Sequence, residues 1–487
     1  MSDFISRVRR ALDRQAPAWG ITPVPRGLRR FSALDLGVLW GDLSVGLLVL
    51  AAGALLVPGL SLPQASLAIL VGSAVGCLLL AVVGVAGSRE GVPGMVLLRP
   101  VLGIRGSWLP SVLNLVQLVG WTGIEMWAMG RVANAVSRQL FHLDAYLLWL
   151  VVVAVFCTAL ALGGPVVVVR KWLERFGVYV MAAVGAWLTY RVVFDGDMAA
   201  LWSRPGRGGW PTFALAVDLV IAMPVSWLPL VADFNRFSKE EVSSFAGTFW
   251  GFFAGNTWFF ALGAMLVLVA GAAPDAAGIG ASITTLAGGT LLLLVLLVGE
   301  TDEAFANIYS SAMSLQNLFP RVPQRWSIAG VGAMGFALAA FLSMGSYQYF
   351  LLLIGSVFVP LFGVFVADYF VLGNSGYSEN DLFDNRGRFW FRWGVNWVAM
   401  IPWFLGFVVY QWSVPTGPDW WTSAVERMAT GMNLPFPLFG AAMGASLPSF
   451  LVAFVLALAV GFRSHRRRLR REVPQRPGPP PARSTHS

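Results

Sequence analysis

Apolar runs of about 20 residues recur along the whole chain and alternate with short polar or basic stretches. A helix of that length crosses roughly 30 Å of hydrocarbon. The pattern predicts spans at 34–57, 65–87, 108–130, 145–164, 173–194, 212–233, 245–272, 286–315, 326–345, 348–371, 389–411 and 436–462. The fold class is therefore an all-α polytopic membrane protein with about twelve transmembrane helices. The loops between them are too short for a soluble domain, and an even number of spans puts both termini on one side of the bilayer.

Composition agrees with the pattern. Of 487 residues, 57% are hydrophobic and 12% charged, with mean hydropathy +0.68, whereas a soluble chain carries roughly a quarter charged residues. The net charge of +9 and the pI near 10 come largely from arginines in the tails and alternate loops. Arg7, Arg9, Arg10, Arg14, Arg26, Arg29 and Arg30 precede the first span, and "RSHRRRLRR" follows the last. By the positive-inside rule both termini are cytoplasmic, in a plasma (inner) membrane, and topology explains the basicity without nucleic acid. The first run is too long for a signal peptide. Residues 1–33 read as a basic tail, and 463–487 as a basic, Pro-rich, disordered one. Cys77 and Cys157 lie inside apolar runs and read as small core residues, while His142, His465 and His486 fall in loops or the tail. With no cytosolic domain, no metal cluster and no nucleophile–base pair, a membrane enzyme is disfavoured, and no cofactor is expected.

Polar residues inside spans cost several kcal/mol at the bilayer centre, so each is a functional hypothesis. In the first span, Asp42 and Ser44 lie between Gly41 and Gly46. This suits an interrupted helix whose freed carbonyls coordinate a cation, or else close glycine packing with Asp42 near the cytoplasmic interface. In the third, Trp121 and Glu125 share a face at helical spacing, beside Gly120 and Gly123. An indole next to a hydrogen-bonding acid suits a flat heteroaromatic ligand, since the ring stacks and the acid accepts from its N–H edge. Trp121 alone would read as an interfacial tryptophan. In the sixth, Pro224 and Pro229 flank Trp227, and Asp218 lies upstream. Two prolines in an apolar run break the ladder, which is tolerated where backbone faces protein or a cavity. Asp233 and Arg236 read as an ordinary interfacial ion pair. In the eighth, "TLLLLVLLV" runs into Glu300, Thr301, Asp302 and Glu303. Glu300, Glu303 and Asn307 form one stripe there, with Thr301 and Asp302 on another side. The span either ends at Val298 or continues to near Arg321. In the second case the acids stand about 25–30 Å from the cytoplasmic face, inside the bundle.

The segments "LNLVQLVGWTGIE", "SWLPLVADFNRF", "FANIYSSAMSLQN" and "IGSVFVPLFGVFVADYF", in that order, resemble the nucleobase–cation symporter 1 family, over about Phe31 to Tyr410. Its members carry cytosine, purines, allantoin, hydantoins and thiamine-precursor pyrimidines. The resemblance implies two inverted five-helix repeats, about 34–194 and 212–371, whose first and sixth helices are broken, with two extra helices over about 389–462. It also implies substrate contacts from Trp121, Glu125, Trp227 and Asn307. A sodium ion would lie between first-helix carbonyls, around Asp42 to Val45, and the side chains of Thr301 and Asp302. The chain departs from the family pattern twice: Glu125 stands where an amide is usual, and Asp302 where a hydroxyl is. A carboxylate in a dehydrated cation site can bind sodium or take a proton itself, so the coupling ion is Na+ or H+. Glu125 as a pure acceptor favours cytosine or an aminopyrimidine over uracil or hydantoin.

The expected function is secondary active import of a nucleobase-like heterocycle by alternating access. Trp121, Glu125, Trp227 and Asn307 would bind substrate, and Thr301, Asp302, Asp42 and Ser44 would couple the cation. Glu300, Glu303 and Asp218 are pathway candidates. The partners are a small heterocyclic molecule and the lipid bilayer, and a monomer is expected. The alternative is an amino-acid or amine transporter of the same broken-helix architecture, which would need a free helix N-terminus to hold a carboxylate. A channel would want a symmetric ring of polar groups.

Overall fold

A computed structural model describes residues 20–169, 173, 176–273, 276–285, 288–341, 347–373, 375–438 and 444–472. The tail stretches 1–19 and 473–487 lie outside the described residues, whereas 463–472, expected as part of a disordered tail, continue the last helix to Glu472. Within them, the apolar runs are helices. These are α1 (Ala33–Asp42), α2 (Leu47–Ala54), α3 (Leu62–Glu90), α4 (Trp108–Phe141), α5 (Tyr146–Gly163), α6 (Val178–Asp195) and α7 (Phe213–Ser226). There follow α8 (Val231–Asn235), α9 (Glu241–Ala270), α10 (Gly289–Leu318), α11 (Gln324–Phe341), α12 (Tyr347–Val366), α13 (Trp397–Ser413) and α14 (Ser446–Glu472).

Among the described residues, six helical segments are long and apolar enough to cross a bilayer as they stand, and α1 with α2 adds a seventh as a pair bent by 62°. Helices α4 and α10, 34 and 30 residues long, also exceed the thickness of the hydrocarbon by helical rise. Their lower hydropathy comes from polar side chains that the bundle encloses.

The two interruptions have different causes. After α1 the bonds shorten to i→i−3, from Ser44 N–H to Gly41 C=O and from Val45 N–H to Asp42 C=O, before α2 leaves in a new direction. Between α7 and α8 the same tightening occurs at Trp227 and Leu228, while Pro229 has no N–H to continue the ladder. The interrupted first span lies along α9 through small residues. A Cβ on Gly251 would stand 2.9 Å from the Cα of Gly37, so only glycine lets these backbones approach, as in membrane helix pairs generally. Helix α4 lies along α10, and between them these pairs enclose the polar interior.

Three boundaries differ from expectation. Helix α4 continues eleven residues past 130 to a left-handed cap at His142. Its "RVANAVSRQLF" end is polar enough to read as loop, but it contains neither glycine nor proline to stop a helix. Helix α13 starts at Trp397 rather than 389, after a short 3-10 turn at Arg392–Gly394. Helix α14 starts at Ser446 rather than 436, and Pro435 and Pro437 disfavour a helix over the first residues of the expected span. Cys77 and Cys157 are buried and free, as small core residues should be.

Candidate functional site

The first break, the second break and the polar stripe of α10 meet at the centre of the bundle. Glu300 turns towards the break after α1, and its carboxylate accepts the N–H of Leu47, the first residue of α2. A helix start leaves its first amides unpaired, and here a side chain from a distant span satisfies one of them. Gly46 makes this approach possible. Its φ of 177° is ordinary extended backbone, but a Cβ there would lie 2.6 Å from Glu300 Oε1 and 2.9 Å from Glu303 Oε1. The glycine is needed for room, not for conformation.

About two turns beyond Glu300 on α10, Asn307 donates its amide N–H to Glu125 Oε1 at 2.7 Å, which ties α10 to α4. Trp121, one turn before Glu125 on the same face, packs edge-on to Phe350 with ring centroids 5.3 Å apart. Trp227, in the second break, meets Trp40 edge-on at 6.0 Å. Trp40 is itself fixed, because its indole N–H donates to Asn235 Oδ1 at 2.9 Å and Asn235 donates in turn to Ser244 and Thr248. A tryptophan at a proline-broken segment is therefore held by a hydrogen-bonded scaffold behind it.

Trp121, Glu125, Trp227, Glu303 and Asn307 line one cavity together with Leu48, Val49, Met223 and Ser226. Its free space is about 10 Å³, close to the least that holds a single water. The site is closed around its own side chains.

The remaining coupling candidates sit behind this cavity. The Asp42 and Asp302 side chains approach the same glycine: Asp42 Oδ1 and Asp302 Oδ2 lie 3.9 and 3.6 Å from a Cβ placed on Gly177. Thr301 is buried beside them in sequence, and Ser44 donates its hydroxyl to Gly41 C=O at 2.7 Å. Glu303 lies within electrostatic reach of Glu300, Glu125, Asp42 and Asp302, so the cavity and the aspartate pair share one field. Buried oxygens of Glu125, Glu300 and Glu303 have no hydrogen-bond partner in the structure. Such acceptors are costly unless a cation or a donor meets them. Among the described residues, no three His, Cys, Asp or Glu side chains gather as a metal-binding set. The acids are divided among a helix cap, an aspartate pair and a cavity wall.

Asp218 stands apart from the others. It accepts the N–H groups of Ala445 and Ser446, the latter at 3.1 Å, at the start of α14, which is a capping role. Asp218→Ala is expected to lower stability by about 1–3 kcal/mol, read as a drop in the thermal unfolding midpoint in detergent, with ligand affinity unchanged. Asp233 and Arg236 are not the interfacial ion pair expected of them, since both are buried. Asp233 accepts Gly94 N–H at 2.8 Å, while Arg236 donates to Gly20 C=O and the Tyr309 hydroxyl. Sequence reasoning missed Leu48, Val49, Met223, Ser226 and Phe350. They are unremarkable apolar or small residues, and only the proximity of the two breaks to each other could have pointed to most of them.

Residues 23–438 match the family described as permeases for cytosine/purines, uracil, thiamine and allantoin. Among curated proteins, the chain is 24% identical to a hydantoin permease of Microbacterium maritypicum, over 76% of this chain and 79% of the relative. It is 25% identical to an allantoin permease of Bacillus subtilis over 80% and 85%, and 27% identical to the cytosine permease of Escherichia coli K12 over 80% and 88%. A nucleobase-cation-symport-1 family transporter, solved closed with bromovinylhydantoin bound, superposes with a TM-score of 0.76 at 19% identity, covering 92% of this chain and 96% of that one. A Na+-coupled sialic acid symporter in a substrate-bound outward-open state superposes at 0.62 with 12% identity, over 93% of each chain. These two structural likenesses establish a shared fold.

Proposed function

The chain belongs to the family of permeases for cytosine/purines, uracil, thiamine and allantoin, and we propose that it imports a nucleobase-like heterocycle in symport with Na+ or H+. Trp121 and Trp227 flank the ring, and Glu125 with Asn307 takes its polar edge. Asp42 and Asp302, with Thr301 and Ser44, hold the coupling ion. The observation that carries this reading is the narrow cavity lined by two indoles, with the hydrogen bond from Asn307 to Glu125 in its wall. Hydantoin, allantoin and cytosine, for which the relatives are named, are small rings with N–H groups on their edges, and such an edge needs the acceptor that Glu125 supplies. A cavity of this size admits no ring until the helices part, which fits a site opened to one side at a time by rocking around broken helices. Both termini are assigned to the cytoplasm, and the functional unit to a single chain.

The amino-acid alternative loses its main requirement. Transporters of this architecture can hold a substrate carboxylate at a free half-helix N-terminus, and here the start of α2 is already occupied by Glu300. An anionic group arriving there would also face that carboxylate.

Whole cells expressing the protein are expected to accumulate labelled cytosine, adenine or hydroxymethylpyrimidine well above control cells. Accumulation should collapse when either sodium is removed or the proton gradient is discharged, and whichever treatment works identifies the ion. If none of these compounds is taken up, and none competes with another heterocycle for uptake, the assignment fails.

A further inference from the structure

The carboxylates around the cavity are not equivalent, and the difference bears on what charge the ligand carries. The argument rests on the heterocycle site described above. Glu300 is engaged with the α2 backbone, and Glu125 Oε1 with Asn307. That leaves Glu125 Oε2 and Glu303 Oε1, on side chains only 1% and 7% exposed, both without a hydrogen-bond partner and both on residues of the same cavity wall.

The donors nearby are largely spent. Asn307 gives an amide N–H to Glu125, and Ser226 gives its hydroxyl to Met223 C=O at 2.7 Å. The short polar side chains of the cavity therefore present acceptors. A neutral imide edge, in which one N–H lies between two carbonyls, would set its carbonyls against carboxylate oxygens. An amidinium-type edge, with a protonated ring nitrogen beside an exocyclic amino group, offers adjacent donors that suit carboxylate oxygens in charge and in hydrogen-bonding sense. The flanking indoles add to the preference, since an aromatic face attracts a cation more when the site is dry.

We infer that this permease selects heterocycles bound as amidinium-type cations, such as a protonated aminopyrimidine, with Glu303 meeting the positive charge and Glu125 the neighbouring N–H. Glu303 is then a specificity-determining residue of the substrate site rather than a lining of the route to it.

The test uses the full chain purified in detergent and two rings of equal size. One is 2,4-diaminopyrimidine, at a pH below the pKa of its own ring nitrogen, and the other is uracil. Calorimetric binding to the wild type is expected to be about tenfold or more tighter for the diaminopyrimidine, as one hydrogen bond to a charged partner implies. Glu303→Gln should erase that preference by weakening the diaminopyrimidine and by tightening uracil, whose carbonyls no longer meet a carboxylate there, while Glu303→Asp should restore part of it. The wild-type preference does not depend on any variant folding, and thermal unfolding of each variant reports its integrity. Uracil binding as tightly as the diaminopyrimidine, or tighter, overturns the charge assignment and leaves the heterocycle reading standing. A preference that survives Glu303→Gln in folded protein removes Glu303 from the role. If neither ring, nor cytosine, nor hydantoin binds, both readings fall.

Discussion

Asn307→Ala is expected to weaken heterocycle binding about a hundredfold and to reduce uptake to background. The hydrogen bond from Asn307 to Glu125 at 2.7 Å joins α10 to α4 across the cavity. Deleting it removes a ligand-facing amide and also frees both oxygens of a buried carboxylate in a site already rich in acceptors. Losing a hydrogen bond to a charged group costs about 1.5–3 kcal/mol, and leaving a buried group unpaired adds to that, so about 3 kcal/mol, or two decades in affinity, is a moderate figure. The two residues act as a unit, so their effects should not add. The double variant Glu125→Ala/Asn307→Ala should lose less than the sum of the single losses, with a coupling of about 0.5–3 kcal/mol. Direct binding measurements on the four proteins close the cycle. Additive losses would show that the residues serve the ligand separately, and an Asn307→Ala protein with unchanged affinity would remove Asn307 from the site.

Which parts of this arrangement were legible in the sequence follows a physical division. Local chemistry reads directly: Pro224 and Pro229 announce a broken span, and the glycines around Asp42 and Ser44 permit another. The scarcity of charge after Glu303 lets α10 run on to Leu318 with its acids inside the bundle. Periodicity also reads directly, which is how Trp121 with Glu125, and Glu300 with Glu303 and Asn307, were placed on common faces. Periodicity does not say what a face meets. The pairing of Glu300 with the first amide of α2 joins residues 253 apart, and Asp218 reaches its partner amides across a separation of 227 and 228 residues. Nothing local distinguishes a cap for another helix from a pathway carboxylate. The same limit applies to Arg236, whose charge suggested an interface and whose partners include the Gly20 and Asp233 carbonyls and the Tyr309 hydroxyl.

Asp302→Ala is expected to abolish the ion dependence of concentrative uptake while leaving substrate exchange across the membrane intact. The carboxyls of Asp42 and Asp302 converge on Gly177 with both residues buried. Two bare anions brought to about 4 Å would repel by about 4 kcal/mol at the effective dielectric of partly buried pairs, so the arrangement is stable when a proton or a metal cation is bound there. In the proposed coupling the pair is a switch: the ion is present when the interrupted first span and α10 close together, and its departure favours their separation. Alanine removes the charge and leaves no hydroxyl that could hold sodium in its place, so closure no longer waits for the ion and the gradient no longer drives accumulation. The substrate cavity, formed by Trp121, Glu125, Trp227, Glu303 and Asn307, keeps its own contacts. Counterflow of labelled cytosine in proteoliposomes should therefore persist when net uptake under a pH or sodium gradient does not. By linkage, an ion and a substrate that stabilise the same closed state raise each other's affinity by one common factor. In the wild type the ion should tighten substrate binding, and in Asp302→Ala that dependence should vanish. Retention of gradient-driven accumulation by Asp302→Ala, with the wild-type ion requirement, would place the coupling ion elsewhere in the bundle.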